Sequence, residues 1–424
     1  MANPRETALL ALYKIEYEGA YSNMAVKDAL SLANGRDKGL ITQLVYGVIR
    51  RKLTLDYVIS KYSKIKLKKL SKYLLLILRM GVYQIYFTDK IPDSAAVNES
   101  VKLAKRYCPR SAGFANAILH SVIRGRESLE YPSDKKEFLS VKYSFPREII
   151  EMFEELDFCE DLLDSLNKEP EITVRLNRLK SGERLLIDAE TSPLYEYARV
   201  VRGLDMANAD DYKCGRIIAQ DIAAMMAAEA LSPKPGEVLI DMCAAPGGKT
   251  THLAELMGDI GRIYAFDIHP HKIELIKKNA KRMGISIIDA QVGDAKKVNE
   301  SLLGLADKVL ADVPCSGIGI IRRKPDIKWN KEDISGLPEI QYKILENAAR
   351  YLKPGGELVY STCTLNKCEN EDIVCRFLEE NKDFEFVKIQ IPGPLMRENK
   401  GYITLYPNKD GTDGFFISKI KRVR

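Results

Sequence analysis

Long apolar runs are absent from this 424-residue sequence. Runs such as Tyr73 to Leu78 fall far short of the roughly 20 residues that cross a bilayer. The first residues lack the basic-then-apolar layout of a secretory leader. Paired cysteine motifs are absent as well. Cys108, Cys159, Cys214, Cys243, Cys315, Cys363, Cys368 and Cys375 include no C-x-x-C, and the four histidines stand at no zinc-ligand spacing beside them. His269 and His271 form an H-x-H with no third ligand nearby, which suits a surface loop. These absences argue against a membrane span and a zinc module, and they predict a cytoplasmic protein that holds no metal. Unpaired thiols in that compartment are either buried apolar fillers or reactive groups.

Acidic residues are scarce at the start. Residues 1–130 hold 22 lysines and arginines against 11 acids, and the remainder holds 43 against 48, so a segment of net charge +11 precedes one of −5. A basic module joined to a mildly acidic one suits a polyanion partner, although a solvated lysine-rich surface has the same composition. Apolar residues recur at helical spacing in Thr7–Ile15, Leu40–Ile49, Leu74–Phe87, Ala95–Ala104 and Phe114–Ile123, with turn chemistry at Asn34-Gly35, Ile91-Pro92 and Cys108-Pro109. Residues 1–130 therefore read as an all-α domain. Within it, Lys61–Lys72 packs six lysines around Ile65, Leu67 and Leu70. The pattern loosens over residues 131–216, where a helix near Arg147–Leu156 precedes short runs at Ile172–Leu176 and Arg199–Arg202; this predicts a small α+β connector domain.

Residues 217–424 become a regular alternation. Short β-branched runs at Val238–Met242, Ile263–Asp267, Ile287–Val292, Lys308–Asp312 and Glu357–Ser361 are separated by helical segments, the signature of right-handed crossovers in a parallel α/β sheet. A last run, Gly414–Ile420, suits an antiparallel strand closing that sheet.

The first of these runs leads into Cys243-Ala244-Ala245-Pro246-Gly247-Gly248-Lys249-Thr250 and then a helix. Small residues there let backbone approach a ligand. The Gly-Lys-Thr triplet resembles a phosphate-binding loop, but that motif needs a glycine five residues before Gly248, where Cys243 stands; a G-x-G-x-x-G is missing too. Asp267 ends the second run, where a doubly wound fold holds ribose hydroxyls, and Gly293-Asp294 follows the third, placed to meet an adenine edge. A nucleoside site with neither triphosphate nor dinucleotide glycines points to S-adenosylmethionine. Singly, Asp267 or Asp294 is as readily a helix cap.

The fourth run ends in Ala311-Asp312-Val313-Pro314-Cys315-Ser316-Gly317 and the fifth in Tyr360-Ser361-Thr362-Cys363-Thr364. Ligands of open α/β sheets bind beyond the carboxyl ends of the strands, so both thiols are expected to face one crevice beside the cofactor. Methylation of C5 of cytosine requires such a set. A thiolate adding at C6 makes C5 electron-rich, a carboxyl group meets N3 and N4, and a base later removes the C5 proton. Asp312, Cys315 and Cys363 supply these types; from the residues alone, either cysteine could be the nucleophile.

The stretches DMCAAPGGKT, ADVPCSGIG and YSTCT, with the closing DGFFISKIKR, resemble those of the Nol1/Nop2/Sun family of RNA cytosine-C5 methyltransferases. The helical start, with Pro92, Asn98-Glu99 and Phe114-x-Asn116, resembles the RNA-binding factor NusB. A NusB-like domain joined to a Rossmann-like methyltransferase domain is the arrangement of the Sun/RsmB-type 16S ribosomal RNA methyltransferases. The resemblance implies Cys363 as nucleophile, Cys315 as the group that assists product release, and Asp312 at the cytosine. It also implies a cofactor site formed by Cys243 to Lys249, Asp267, Asp294 and Asp312. Lys249 is left between the substrate and an acidic neighbour such as Asp294. The segment Ile321–Trp329 carries Arg322, Arg323 and Lys324 and the chain's single tryptophan, Trp329. At the active-site rim it would bind RNA through phosphate contacts and base stacking, the alternative being an indole tucked into a core. The expected substrate is 16S ribosomal RNA or a small-subunit precursor, met by a monomer; another RNA, or a non-catalytic assembly role, are the alternatives.

Overall fold

The computed structural model describes residues 3–180, 182, 185–330 and 334–424, and the chain divides into two compact units. The first is Met1–Lys168 with Ile321–Lys331; the second is Glu169–Ile320 with Glu332–Arg424. Among the described residues no helix is long and apolar enough to cross a membrane.

The first unit is helical. The five predicted segments become Pro4–Glu18, Lys38–Arg50, Lys72–Phe87, Asp93–Tyr107 and Ala112–Arg124, and Ser22–Ser31 and Lys52–Tyr62 lie among them. Helix starts follow capping chemistry: Asn3 accepts from Arg5 N ahead of Pro4, and Ser71 accepts from Leu74 N. Leu9, Ile41, Leu44, Leu55, Ile59, Leu76 and Ile77 form one buried core, each side chain contributing about 1.5–3 kcal/mol by leaving water. Arg79 carries a guanidinium into this core, where it donates to both oxygens of Asp56 at 2.7 Å and meets Glu16 at 3.4 Å.

The connector expected over 131–216 is divided at residue 168. Its helices, Lys135–Tyr143, Arg147–Phe153 and Cys159–Ser165, belong to the first unit because Thr54 donates to Val141 O and Leu53 N donates to Ser144 Oγ. Its strands belong to the second. There β1 (Ile172–Leu176), β2 (Glu190–Thr191), β3 (Ala198–Val201) and β4 (Ile217–Ala219) form an antiparallel sheet in the order β2-β3-β1-β4.

The main sheet of the second unit contains β5 (Val238–Asp241), β6 (Arg262–Asp267), β7 (Ile288–Val292), β8 (Ala306–Asp312) and β9 (Leu352–Thr362), then β10 (Phe384–Phe386), β11 (Tyr402–Leu405) and β12 (Phe415–Arg422). Strands β7-β6-β5-β8-β9 are parallel, and β12 pairs antiparallel with β9, as the last run of the sequence predicts. The central strands are buried through Leu239, Ile240, Val309, Leu310, Ala311, Leu358 and Val359, as expected for a parallel sheet covered on both faces. Strand order reverses between β5 and β8, which opens a crevice at their carboxyl ends.

Candidate active site

Three loops leave the carboxyl ends of neighbouring strands. After β5, Asp241 is buried and turns back to accept from Thr250 Oγ1 at 2.7 Å, fixing the first turn of helix Gly248–Leu256 against its strand. Burial pushes the Asp241 carboxyl up to about 7. Gly247 sits at φ 98°, where a side chain would be strained and would press on the Ile276 backbone. Ala244 N donates to Phe266 O at 2.7 Å, tying the loop to β6. The sequence did not point to what lies under this helix. Arg175 of β1, fully buried, donates to Gly248 O at 2.8 Å, to Thr251 Oγ1 at 3.0 Å and to Glu255 Oε1 at 2.7 Å. The small sheet is thereby bolted to the base of the loop.

After β8 and β9 come the thiols. Asp312 and Ser361 are partners in the parallel register, and the chains run on side by side to Cys315 and Cys363. Their sulfur atoms lie 3.2 Å apart, in hydrogen-bond contact. That bond, then burial, raises the Cys315 thiol well above its ordinary value, so Cys315 keeps its proton. Gly319 N donates to Cys363 O at 3.0 Å, and a Cβ on Gly319 would overlap the Gly414 carbonyl; only glycine lets the loop lie this close.

Between the first loop and the other two stands Lys249. Its ammonium donates to Asp312 Oδ2 at 2.6 Å, and Ser361 Oγ donates to Asp312 Oδ1 at 2.7 Å. The acidic partner is therefore Asp312 and not Asp294. Burial pulls the Lys249 pKa down, but the charge and hydrogen bond of Asp312, and after them Cys363, more than offset it and leave the pKa raised. The ring of Phe415 lies 5.0 Å away. Asp267 is nearly buried; its Oδ1 accepts from His269 N at 3.0 Å, and Oδ2 makes no hydrogen bond among the described residues. Asp294 accepts from Lys296 N at 3.0 Å. Both carboxylates thus also serve their own turns, as the capping alternative predicts.

Cys243 shows the charge of this crevice. Burial, and then Asp241, Asp312 and Asp267, push its thiol well above the ordinary value. A carboxylate-rich cradle repels a phosphate chain and suits a ligand carrying a sulfonium and an ammonium. The residues present therefore fit S-adenosylmethionine.

The segment 321–329 departs from expectation. It belongs to the helical unit, not to the unit of the thiols. Trp329 is half-buried on the helical core, its indole N–H donates to Ile49 O at 2.8 Å, and the Lys52 ammonium lies 5.3 Å from its ring. Asp326 accepts from Ser22 Oγ and N, and the Arg322 carbonyl accepts from Arg50. The indole is therefore a packing group, the alternative to base stacking. Lys324 is exposed, and Arg322 and Arg323 are half-exposed. The sequence also gave no weight to Glu369 and Asn370, both buried, directly behind the thiol loops.

A switch-point crevice lined by carboxylates, with a small-residue loop on one side and paired thiols on the other, defines a Rossmann-fold, S-adenosylmethionine-dependent methyltransferase. Residues 228–421 match the family model described as 16S rRNA methyltransferase RsmB/F, and residues 2–124 match the NusB family. The chain is 36% identical to the probable ribosomal RNA small subunit methyltransferase B of Bacillus subtilis, over 99% of this chain and 98% of that one. Its identity to the Synechocystis protein of the same description is 34%, over the full length of both. A methyltransferase homologue of known structure from Pyrococcus horikoshii is 28% identical, with a TM-score of 0.59 over 69% of this chain and all of that one. The chain belongs to the RsmB/F family of 16S rRNA methyltransferases.

Proposed function

We propose that this protein methylates C5 of a cytosine in 16S ribosomal RNA through a covalent adduct between Cys363 and C6 of the base. One observation carries the reading: two sulfur atoms from adjacent strand ends stand 3.2 Å apart, next to a carboxylate and the cofactor loop. Bound S-adenosylmethionine supplies an electrophilic methyl group; the protein makes C5 able to take it. While Cys315 keeps its proton, Cys363 is the sulfur left to act as nucleophile, and the Lys249 ammonium interacts with it electrostatically. Sulfur bonds to C6 and the ring electrons shift to C5, which could then take the methyl group as the sulfonium carbon–sulfur bond breaks and the demethylated cofactor leaves as a neutral thioether. Asp312, aimed by Lys249 and Ser361, meets the N3 and N4 edge. Once Cys363 is bonded to C6 it no longer holds the Cys315 proton in a hydrogen bond; Cys315 passes that proton to solvent water and, as thiolate, takes the C5 proton, and the electron pair of that C–H bond restores the ring as the S–C6 bond breaks and Cys363 leaves as thiolate. The target base must leave its stack to reach the crevice. The substrate follows from the family and suits the basic helical unit, on which Lys61, Lys64, Lys66, Lys68, Lys69 and Lys72 are exposed.

Two thiol variants and one mapping experiment test this. Cys363→Ala is expected to abolish methyl transfer, by about 10⁴-fold or more, with cofactor binding retained. Cys315→Ala is expected to trap protein on RNA as a slow band in a denaturing gel. The opposite pattern would exchange the roles. Sequencing 16S ribosomal RNA from cells with and without the gene should reveal one 5-methylcytosine that depends on it; unchanged 16S ribosomal RNA would refute the substrate.

A further inference from the structure

The two thiol loops are joined directly by Gly319 N to Cys363 O at 3.0 Å and by the Ser316 and Thr364 hydroxyls at 2.7 Å, while most of the polar bonds to the peptides around the sulfurs come from elsewhere. The peptide neighbours of Cys315 and of Cys363 end on two consecutive residues. Glu369 takes the Cys315 side. Its Oε2 accepts from Ser316 N at 2.9 Å and its Oε1 from Ser316 Oγ at 2.5 Å. Gln341 Nε2 donates to Glu369 Oε2 at 2.8 Å and to Pro314 O at 2.9 Å. Both neighbours of Cys315, Pro314 and Ser316, are thus tied to one carboxylate. Asn370 takes the Cys363 side. Thr362 Oγ1 donates to Asn370 Oδ1 at 2.5 Å, and Asn370 Nδ2 donates to Thr364 O at 3.0 Å, so both neighbours of Cys363 are tied to one amide. All five polar anchors, Gln341, Thr362, Thr364, Glu369 and Asn370, are buried to 1% exposure or less. Tyr360 OH donates to Glu369 O at 2.6 Å, which fastens the pair to β9.

Asn370 stands at the position preceding helix Glu371–Glu380, where an asparagine ordinarily caps its own helix at a gain of about 1 kcal/mol. It makes no such bond. Its side chain is turned away to the Cys363 loop instead. A local helix preference has been overridden, as happens where a residue serves a site.

We propose that Glu369 and Asn370 are positioning residues that form a two-armed clamp, Glu369 placing Cys315 for product release and Asn370 placing Cys363 for attack on the base. The clamp rests on the two-thiol reading above. It predicts that the two halves of the reaction come apart in different variants. In Glu369→Gln one oxygen must serve the donors of Ser316, Gln341 and Asn366 that now share two, so the Cys315 loop loosens, while Asn370 still ties both peptide neighbours of Cys363.

The test uses the full-length protein with a 16S ribosomal RNA fragment and compares the first turnover with steady state. Glu369→Gln should keep the first methyl transfer within about threefold of wild type and slow steady-state turnover by about tenfold or more, with a protein–RNA band accumulating; misplacement by 1 Å can cost about 10²-fold. Asn370→Ala should slow the first transfer itself by about tenfold or more, with no band. Gln341→Met removes the amide that ties Pro314 to Glu369 and Thr362→Val removes one hydroxyl from the Asn370 arm, and they should show the same division at about threefold; they decide the matter if a clamp variant fails to fold. Identical profiles in the two arms, or unchanged rates in both, would overturn the clamp. If Cys315→Ala itself traps no adduct, the two-thiol reading falls; if it does and Glu369→Gln does not, only the clamp falls.

Discussion

Lys328 in the helical unit and Lys249 in the α/β unit are both withdrawn from water, yet their surroundings differ in kind. Lys328 donates to three neutral oxygens, Arg50 O at 3.1 Å, Ser144 O at 3.0 Å and Asn167 Oδ1 at 2.7 Å, and lies 3.5 Å from the centre of the Phe145 ring. No carboxylate stands among these partners. Burial, and then Arg51 and Arg50, push its pKa well below the ordinary 10.5. Lys249 has Asp312 at 2.6 Å and its pKa is raised. A buried ammonium held by neutral oxygens locks loops and helices together, and its charge is expendable. One that faces a carboxylate beside two thiols keeps its charge where a reaction can use it.

Activity gives the widest separation between the two. Lys249→Met removes the ammonium that orients Asp312 and faces Cys363, and methyl transfer should fall by about 10²-fold or more, the usual cost of a lost electrostatic partner in an active site. Lys328→Met should leave methyl transfer per folded molecule within about threefold. Comparable losses in the two variants, measured on protein shown to be folded, would break the distinction.

Stability against pH separates them in sign. A lysine whose folded pKa lies below its unfolded value binds fewer protons in the native state, so its contribution to stability rises with pH between the folded pKa and 10.5. The slope reaches at most about 1.4 kcal/mol per pH unit. Lys249 is raised, so its contribution is fully present below 10.5 and is lost only as pH passes its folded pKa. Urea melts between pH 7 and 10 should therefore show a rise in wild type that flattens in Lys328→Met and survives in Lys249→Met. A rise that persists unchanged in Lys328→Met would mean that another group produces it.

Much of this was legible beforehand, for a physical reason. Strands that must be buried on both faces read as β-branched runs, and the five parallel strands appear within a few residues of their predicted ends. Loops at strand tips follow from that, which is why Cys315, Cys363 and Asp312 could be placed in one crevice. Helices that bury small or mixed residues were not legible: Ser22–Ser31 buries Ser22, Ala25, Val26 and Ala29, and Lys52–Tyr62 buries Thr54 beside Leu55, Val58 and Ile59. Long-range polar partners left no local trace either. Nothing in the spacing ties Arg175 to Glu255, Lys249 to Asp312, or Glu369 to Ser316, because each bond joins elements far apart in sequence. The segment 321–329 misled because cations and an aromatic near a catalytic motif look alike whether they meet RNA or pack against helices. Buried Lys328, between the two alternatives, has no signature in composition.

The same distinction bears on the exposed lysines of the helical unit. A truncation at residue 130 would be a poor probe, since Thr54, Leu53 and Ile49 of the removed part hold Val141, Ser144 and Trp329 of the part that remains. Substitution is cleaner. Lys64, Lys66, Lys68 and Lys69 are exposed and sit on a connecting segment and single-turn helix rather than in the core. If they meet phosphates, replacing all four by Gln removes up to four counterion-releasing contacts. The salt dependence of RNA binding should then become shallower by about 2–3 in log–log slope, and affinity at moderate salt should weaken several-fold. Cofactor affinity should not move, because none of the four lies in the unit that holds the cofactor loop. A salt slope identical to wild type would make this lysine-rich face a solvated surface, and would leave the polyanion contact to other cations of the chain.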